Sequence, residues 1–359
     1  MPGPELDRRA FLYTLGLGVL SATVGCDARE TATSTRLATP TGSPPPPSPP
    51  ATSGPAECAR GRWPGHQPQR VYLGMSFPGP ISAAERATGP LGVRRSYFGW
   101  NDGDDEDRVI RADIAAGRLS WVSFRPPRGA GDWLAMSAGV FDDALRSRAR
   151  RYAAHPAPVV VTFNHEPSKH DGSGTDFAAA WVRAHTVMAD ETGLENVSFV
   201  PILGDWAFNP RNPDASAHEF LPPSLLERLP FLGVDCYQND SGEGFEVRLG
   251  RILAWLEENG VANPMIGLGE TGCTDAFGSP NAVQWWRSSW AWVEANTDKI
   301  GIVSYFNSNR NSKHGVHWPL DESPAKLATF RASLRSSVSC RLQPQTTTVA
   351  IDQCQLEER

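Results

Sequence analysis

From about Gln69 onward the chain alternates short, almost wholly apolar runs with longer stretches in which apolar residues recur every three or four positions. The short runs predict eight strands: Val71–Phe77, Val93–Phe98, Leu119–Phe124, Val159–Phe163, Val197–Leu203, Phe231–Tyr237, Met265–Gly269 and Ile300–Phe306. Runs rich in Val, Ile and Phe without polar alternation suit strands covered on both faces, as in a parallel sheet. The longer stretches predict helices over Ser82–Thr88, Asp107–Ala116 and Phe141–His155, and another capped by Asp176 with Phe177, Trp181, Ala184 and Met188 on one face. Further helices cover Phe245–Glu258, which stops at Gly260, the stripe Val283, Trp286, Trp290 and Val293, and Pro324–Leu334. Eight strand–helix units in about 265 residues predict an α/β fold, a single (β/α)8 TIM barrel spanning residues 68–337. A doubly wound sheet would want a glycine-rich phosphate turn after its first strand. The chain instead reads Met75-Ser76-Phe77-Pro78-Gly79-Pro80.

The pattern before the first strand is different. Arg8-Arg9 is followed by the apolar run Phe11–Val24, which stops at Gly25-Cys26. That run is shorter than the roughly 20 residues a membrane span needs. A twin arginine, a short apolar stretch and a small residue before the processing point describe an export signal. The segment resembles a twin-arginine leader, and Thr23-Val24-Gly25-Cys26 resembles a lipoprotein processing box. Residues 1–26 are therefore expected to be a signal peptide, with Cys26 the lipid attachment point and the only link to a membrane. The expected location is the outer face of the cytoplasmic membrane or the cell wall, or the medium if Cys26 is not lipidated. Residues 27–67 are expected to be a stalk: the segment is poor in apolar residues up to about Pro55, and Pro44-Pro45-Pro46-Pro47-Ser48-Pro49-Pro50 favours stiff polyproline II. Residues 338–359 read as a C-terminal tail.

Of the 359 residues, 40% are hydrophobic and 21% charged, which excludes wholesale disorder and a multi-pass membrane protein. The formal charge is −6 with no run of Lys or Arg, so a nucleic-acid partner is not expected. The twelve tryptophans are either core or platforms for a flat ligand such as a sugar ring. Six cysteines are present, and export makes disulfides permissible. Cys340 and Cys354 are one possible pair, either of them with Cys58 another, and Cys236 and Cys273, ending neighbouring strands, a third. No metal is expected: His165 and His170 lack the four-residue spacing of a zinc helix, with Pro167 between them. The acids Asp102–Asp107 lack the alternation of a calcium loop and read as a helix start.

Strand four ends Asn164-His165-Glu166-Pro167, and strand seven ends Gly269-Glu270-Thr271-Gly272. Two carboxyl groups facing each other across a pocket are what glycosidic cleavage needs: one protonates the leaving oxygen, the other attacks the anomeric carbon or activates water. The pair resembles the clan of retaining (β/α)8 glycosidases with an acid/base glutamate on strand four and a nucleophile glutamate on strand seven. His165-Glu166 and Asp235-Cys236-Tyr237 are similar to motifs of glycoside hydrolase family 26, the β-mannanases and related β-glucanases and xylanases. The resemblance implies Glu166 as acid/base, Glu270 as nucleophile, Tyr237 as the hydroxyl that holds Glu270, and His165 as a contact to the cleaved sugar or to Glu166. It also implies a polysaccharide substrate, no cofactor, and a chain working as a monomer. The chain departs from the family after His165-Glu166, where Pro167-Ser168-Lys169-His170-Asp171 replaces a Met-Asn-Gly stretch and its tryptophan, and at strand eight, where Phe306 stands in for a tryptophan.

Other strand-end residues complete the expected site. Trp100, Trp206 and Phe306 are candidate sugar platforms or core. Arg125 binds a sugar, supports Glu270 or makes a structural ion pair. Asn164, Asp205 and Asp235 bind or support. A second reading keeps the same barrel as a non-catalytic carbohydrate-binding or cell-wall assembly protein.

Overall fold

The computed structural model describes residues 61–127, 131–168, 171–212, 217–309 and 316–343. Cys26, the Pro-rich segment, Cys58 and Cys354 lie outside them. Nine strands follow one another around a parallel sheet: β1 (Val71–Ser76), β2 (Val93–Phe98), β3 (Leu119–Phe124), β4 (Val159–Phe163), β5 (Val197–Phe199), β6 (Ile202–Gly204), β7 (Leu232–Tyr237), β8 (Ile266–Gly272) and β9 (Ile300–Phe306). The hydrogen-bonded order is β5-β4-β3-β2-β1-β9-β8-β7-β6. The two outermost strands are thus consecutive in sequence and separated only by Val200 and Pro201. They are halves of one barrel strand. Proline has no N–H to give to a ladder, so the predicted run Val197–Leu203 is split at Pro201. The seam is closed on both sides. Val200 N–H donates to Val161 O at 2.9 Å, and Gly233 N–H donates to Pro201 O at 3.0 Å. The fold is an α/β (β/α)8 TIM barrel.

Helices α1 (Ile81–Thr88), α2 (Gly103–Ala115), α3 (Asp132–Ser137), α4 (Asp142–Ala153), α5 (Gly174–Thr192), α6 (Ala217–Phe220), α7 (Pro223–Leu226), α8 (Phe245–Glu258), α9 (Ser279–Ala295) and α10 (Pro324–Leu334) lie between and after the strands. Two helix starts differ from expectation. α5 is capped by Ser173, whose hydroxyl accepts from Asp176 N–H, so Asp176 sits inside the first turn. α2 begins at Gly103 and takes the acids Asp104, Asp105 and Glu106 into its first turn. β8 runs three residues past the expected end, to Gly272.

The core has two parts. Outward residues of the strands, such as Leu73, Val122, Val161, Val234 and Leu268, meet the helices. Inward residues, including Tyr72, Leu119, Trp121, Val160, Ile202 and Ile302, fill the lower barrel. Trp63 is 5% exposed and plugs that end against Tyr72 and Phe231. The expected stalk boundary at residue 67 therefore falls within packed chain, because Trp63 supplies the large apolar ring the barrel floor lacks. Beyond α10, β10 (Ser339–Cys340) pairs in parallel with β1, and Leu342 is buried, so the tail begins as part of the sheet. Cys236, Cys273 and Cys340 are free thiols, which removes the expected Cys236–Cys273 pair.

Candidate active site

The upper ends of the strands gather the acidic residues predicted from sequence. Glu270 is on β8 and 7% exposed. Two phenols grip its carboxylate. Tyr97 OH donates to Oε1 at 2.7 Å, and Tyr237 OH donates to Oε2. Both rings come from inward positions of their strands, β2 and β7.

Glu166 lies just beyond β4 in a strained turn. Asn164 and Glu166 have φ of +46° and +48°, left-handed values that side chains other than glycine seldom adopt. The turn is bolted at both ends: Asn164 N–H donates to Phe124 O at 2.9 Å, and Glu166 N–H donates across to Ile202 O at 3.0 Å. Gly204 lies beside the Glu166 carboxyl, where even a Cβ would make only ordinary van der Waals contact with Oε1, at 3.7 Å. The residue reaches solvent at the cleft mouth, yet protein closes around the carboxyl from below and beside. Burial first, and then the charge of Glu270, push that carboxyl up to about 7, against the pull of Arg125 and Arg95. Solvent access tempers the burial contribution.

The remaining predicted residues separate into three groups. His165 meets the Tyr97 ring at a tilt, with ring centroids 5.1 Å apart, Arg125 Nη2 lies 3.4 Å from His165 Nε2, and the Arg125 charge acts on Glu166. Asp205 is occupied structurally: Arg248 meets it with two 2.7 Å bonds and also donates to Tyr237 O. That fork fixes the end of β7, where Tyr237 must point at Glu270. Asp235 is buried between the two glutamates, and burial followed by the charges of Glu270 and Glu166 raises its carboxyl well above the usual range. Among the aromatics, Trp206 is half-buried on the 3-10 turn Asp205–Phe208. Trp100 packs on Phe124 and Phe141, with Arg148 against its face, and belongs to the core side. Phe306 meets Tyr237 edge-on at 6.0 Å.

Three residues of the site were not anticipated. Arg95 and Tyr97 are successive inward positions of β2, and an arginine and a tyrosine facing into a barrel were the available signal. Trp318 comes from the loop between β9 and α10 and lies 4.8 Å from the Tyr237 ring. It occupies the neighbourhood where the strand-eight tryptophan was missed, but an irregular loop carries no periodicity to predict it. Beside it a cavity of about 350 Å³ opens between the ends of β1 and β9, lined by Phe77, Asn307, Pro319, Asp321 and Glu322 among others. Among the described residues no group of three or more His, Cys, Asp or Glu is placed to hold a metal ion.

No protein-family model and no curated protein matches this chain. Solved structures do. The GH26 β-mannanase from Bacteroides ovatus is 17% identical with a TM-score of 0.52, the match covering 76% of this chain and 91% of that one. XacCel5A in complex with cellopentaose is 16% identical at 0.55, covering 74% and 99%. GH26C from Muricauda sp. is 14% identical at 0.52, covering 76% and 87%. The barrel fold is shared with all three. At these identities the likeness is one of fold, and chemistry has to be argued from the site.

Proposed function

We propose that this protein is an exported retaining glycoside hydrolase acting on the β-linkages of a polysaccharide, a β-mannan or a related β-glycan. The observation that carries the reading is the contrast between two carboxyl groups at the ends of β4 and β8. Glu270 accepts from two phenols, which hold both of its carboxylate oxygens in place for attack. Glu166 is raised by burial and by the Glu270 charge, which favours a proton. That division of labour is what a double displacement requires. Glu166 gives its proton to the glycosidic oxygen as the bond to the anomeric carbon breaks, and a Glu270 oxygen forms the new bond to that carbon. Glu166, now a base, takes a proton from water, whose oxygen displaces Glu270 and restores both groups. Tyr97 and Tyr237 orient the nucleophile, His165 and Arg125 border the acid/base, and Trp206, Trp318 and Phe306 offer rings to sugars. Solved structures of the same fold include a β-mannanase, fungal β-1,4-galactanases and a protein in complex with cellopentaose. Their variety supports a β-glycan and favours no single one. Endo action, lipidation at Cys26 and display outside the cell complete the reading.

A second reading, carbohydrate binding without cleavage, is favoured by the loop after Glu166, where Pro167-Ser168 brings no ring to the leaving-group side. Incubation of the purified protein with mannans, mixed-linkage glucan and xylans separates the two. Release of reducing ends that disappears in Glu270→Gln, with the product anomer retained by NMR, is the expected result. A folded protein that binds a glycan without releasing ends from any of them would overturn the catalytic reading in favour of the second.

A further inference from the structure

Beneath the two glutamates the barrel interior turns polar. Ser76 on β1 and Arg95 on β2 are register partners, Ser304 on β9 pairs with Gly74, and Asp235 on β7 pairs with Glu270. These four side chains are 3%, 1%, 0% and 2% exposed, respectively. Ser76 Oγ, Arg95 Nε, Ser304 Oγ and both Asp235 carboxyl oxygens have no side-chain hydrogen-bond partner among the described residues. Gly269 makes room for Asp235, since a Cβ there would fall 2.8 Å from its Oδ1.

The charges around Asp235 come from several elements. Glu270 faces it from β8, Glu166 from the end of β4, Arg95 and Tyr97 from β2, with Cys236 and Tyr237 on its own strand. The single guanidinium is shared. Arg95 is tethered to Ser123 Oγ at 2.7 Å and Ser96 O at 3.2 Å, and its cation rests 4.6 Å from the centre of the Tyr97 ring. The Glu270 backbone N–H pulls the Asp235 carboxyl down, less than burial and the two glutamate charges push it up. A third carboxylate here would be a buried anion with no side-chain donor of its own among the described residues, beside two others.

We propose that Asp235 is an uncharged positioning residue: its carboxyl keeps its proton in the layer that holds the buried hydroxyls of Ser76 and Ser304, and leaves the Arg95 charge to serve Glu166 and Glu270. The proposal rests on reading those two glutamates as the working pair. In a layer of this kind bound water completes the bonds between orphaned groups.

The test begins with infrared spectroscopy of the wild-type protein, which needs no substrate. A carbonyl stretch of a protonated carboxyl is expected to persist at pH 8 and to be absent from Asp235→Asn but present in Glu166→Gln. No such band at pH 8 overturns the proposal, whether or not the protein cleaves any glycan. If Asp235→Asn does not fold, the band is sought in Asp235→Ala, from which it must be absent while the buried carboxyl groups of Glu106 and Asp113 remain. On a substrate that the wild type cleaves, the pH profiles of the variants give a second readout. Asp235→Asn is expected to keep the basic limb in place, because it replaces a neutral group by a neutral group. A basic limb lowered by about one pH unit or more would mean that an anion had been removed, and would overturn the proposal. Asp235→Ala, folded by circular dichroism, is expected to lose about tenfold or more in kcat through a displaced Glu270. Unchanged kcat in that variant would refute the positioning role.

Discussion

Glu166 combines a left-handed backbone angle with a carboxyl held near neutrality, and both features come from where the chain must go after β4. Its raised carboxyl has consequences for stability as well as rate. Between pH 4.5 and about 7 the folded protein holds a proton that the unfolded chain has released, so stability falls as pH rises through that window. Glu166→Gln removes the effect. Chemical denaturation should find the variant gaining on the wild type from pH 4.5 to 8, while kcat on a glycan with a poor leaving group drops roughly 10²–10⁴-fold. For the wild type, kcat/KM should decline as pH rises past about 7, because the acid loses its proton. Glu270→Gln removes a charge that raises Glu166, so its carboxyl, followed by NMR, should titrate at lower pH in that variant. Tyr97→Phe deletes one of two donors to Glu270 and should lower kcat by roughly 10–100-fold with KM little changed, as expected for a bond to a charged group.

Elements were legible where one physical cause dominates. β2, β3, β4 and β9 match their predicted runs residue for residue, because strands buried on both faces leave little ambiguity between apolar core and polar ends. The glutamates were legible for a related reason: a barrel puts reactive groups where strands end. Pro201 was visible in the sequence, but its effect, dividing one strand into two, depends on neighbours that pattern alone does not reveal. Trp318 was illegible because its place is set by a loop held from below. Lys326, buried at 1% exposure on α10, reaches His317 O at 3.4 Å, Cys273 O at 3.5 Å and Asp275 at 3.3 Å. It thus ties the loop bearing Trp318 to the end of β8. Lys326→Met should cost about 1–3 kcal/mol in denaturant melts, by orphaning those groups. It should also raise KM more than it lowers kcat, which steady-state kinetics would separate.

At the scale of the molecule, the barrel is closed at its foot by one side chain and at its wall by one seam. Trp63→Ala should destabilise the domain by about 3–5 kcal/mol with little effect on the pH profile, since it acts far from the glutamates. The seam has a subtler role. A cylinder whose first and last staves are the same strand leaves neither of them as a margin for another chain to pair with. It does have one joint with a missing rung, at Pro201. The amide of Glu166 crosses that joint to Ile202 O, so the acid is fastened to the far side of the joint, whereas Glu270 is carried by a stave two places further round. Breathing of the wall, read as deuterium uptake at the Glu166 amide on warming, would therefore change the gap between proton donor and nucleophile before the cylinder itself comes apart. Rate should be lost at a temperature below that of global melting, and the two curves should converge in a variant whose joint is cross-linked.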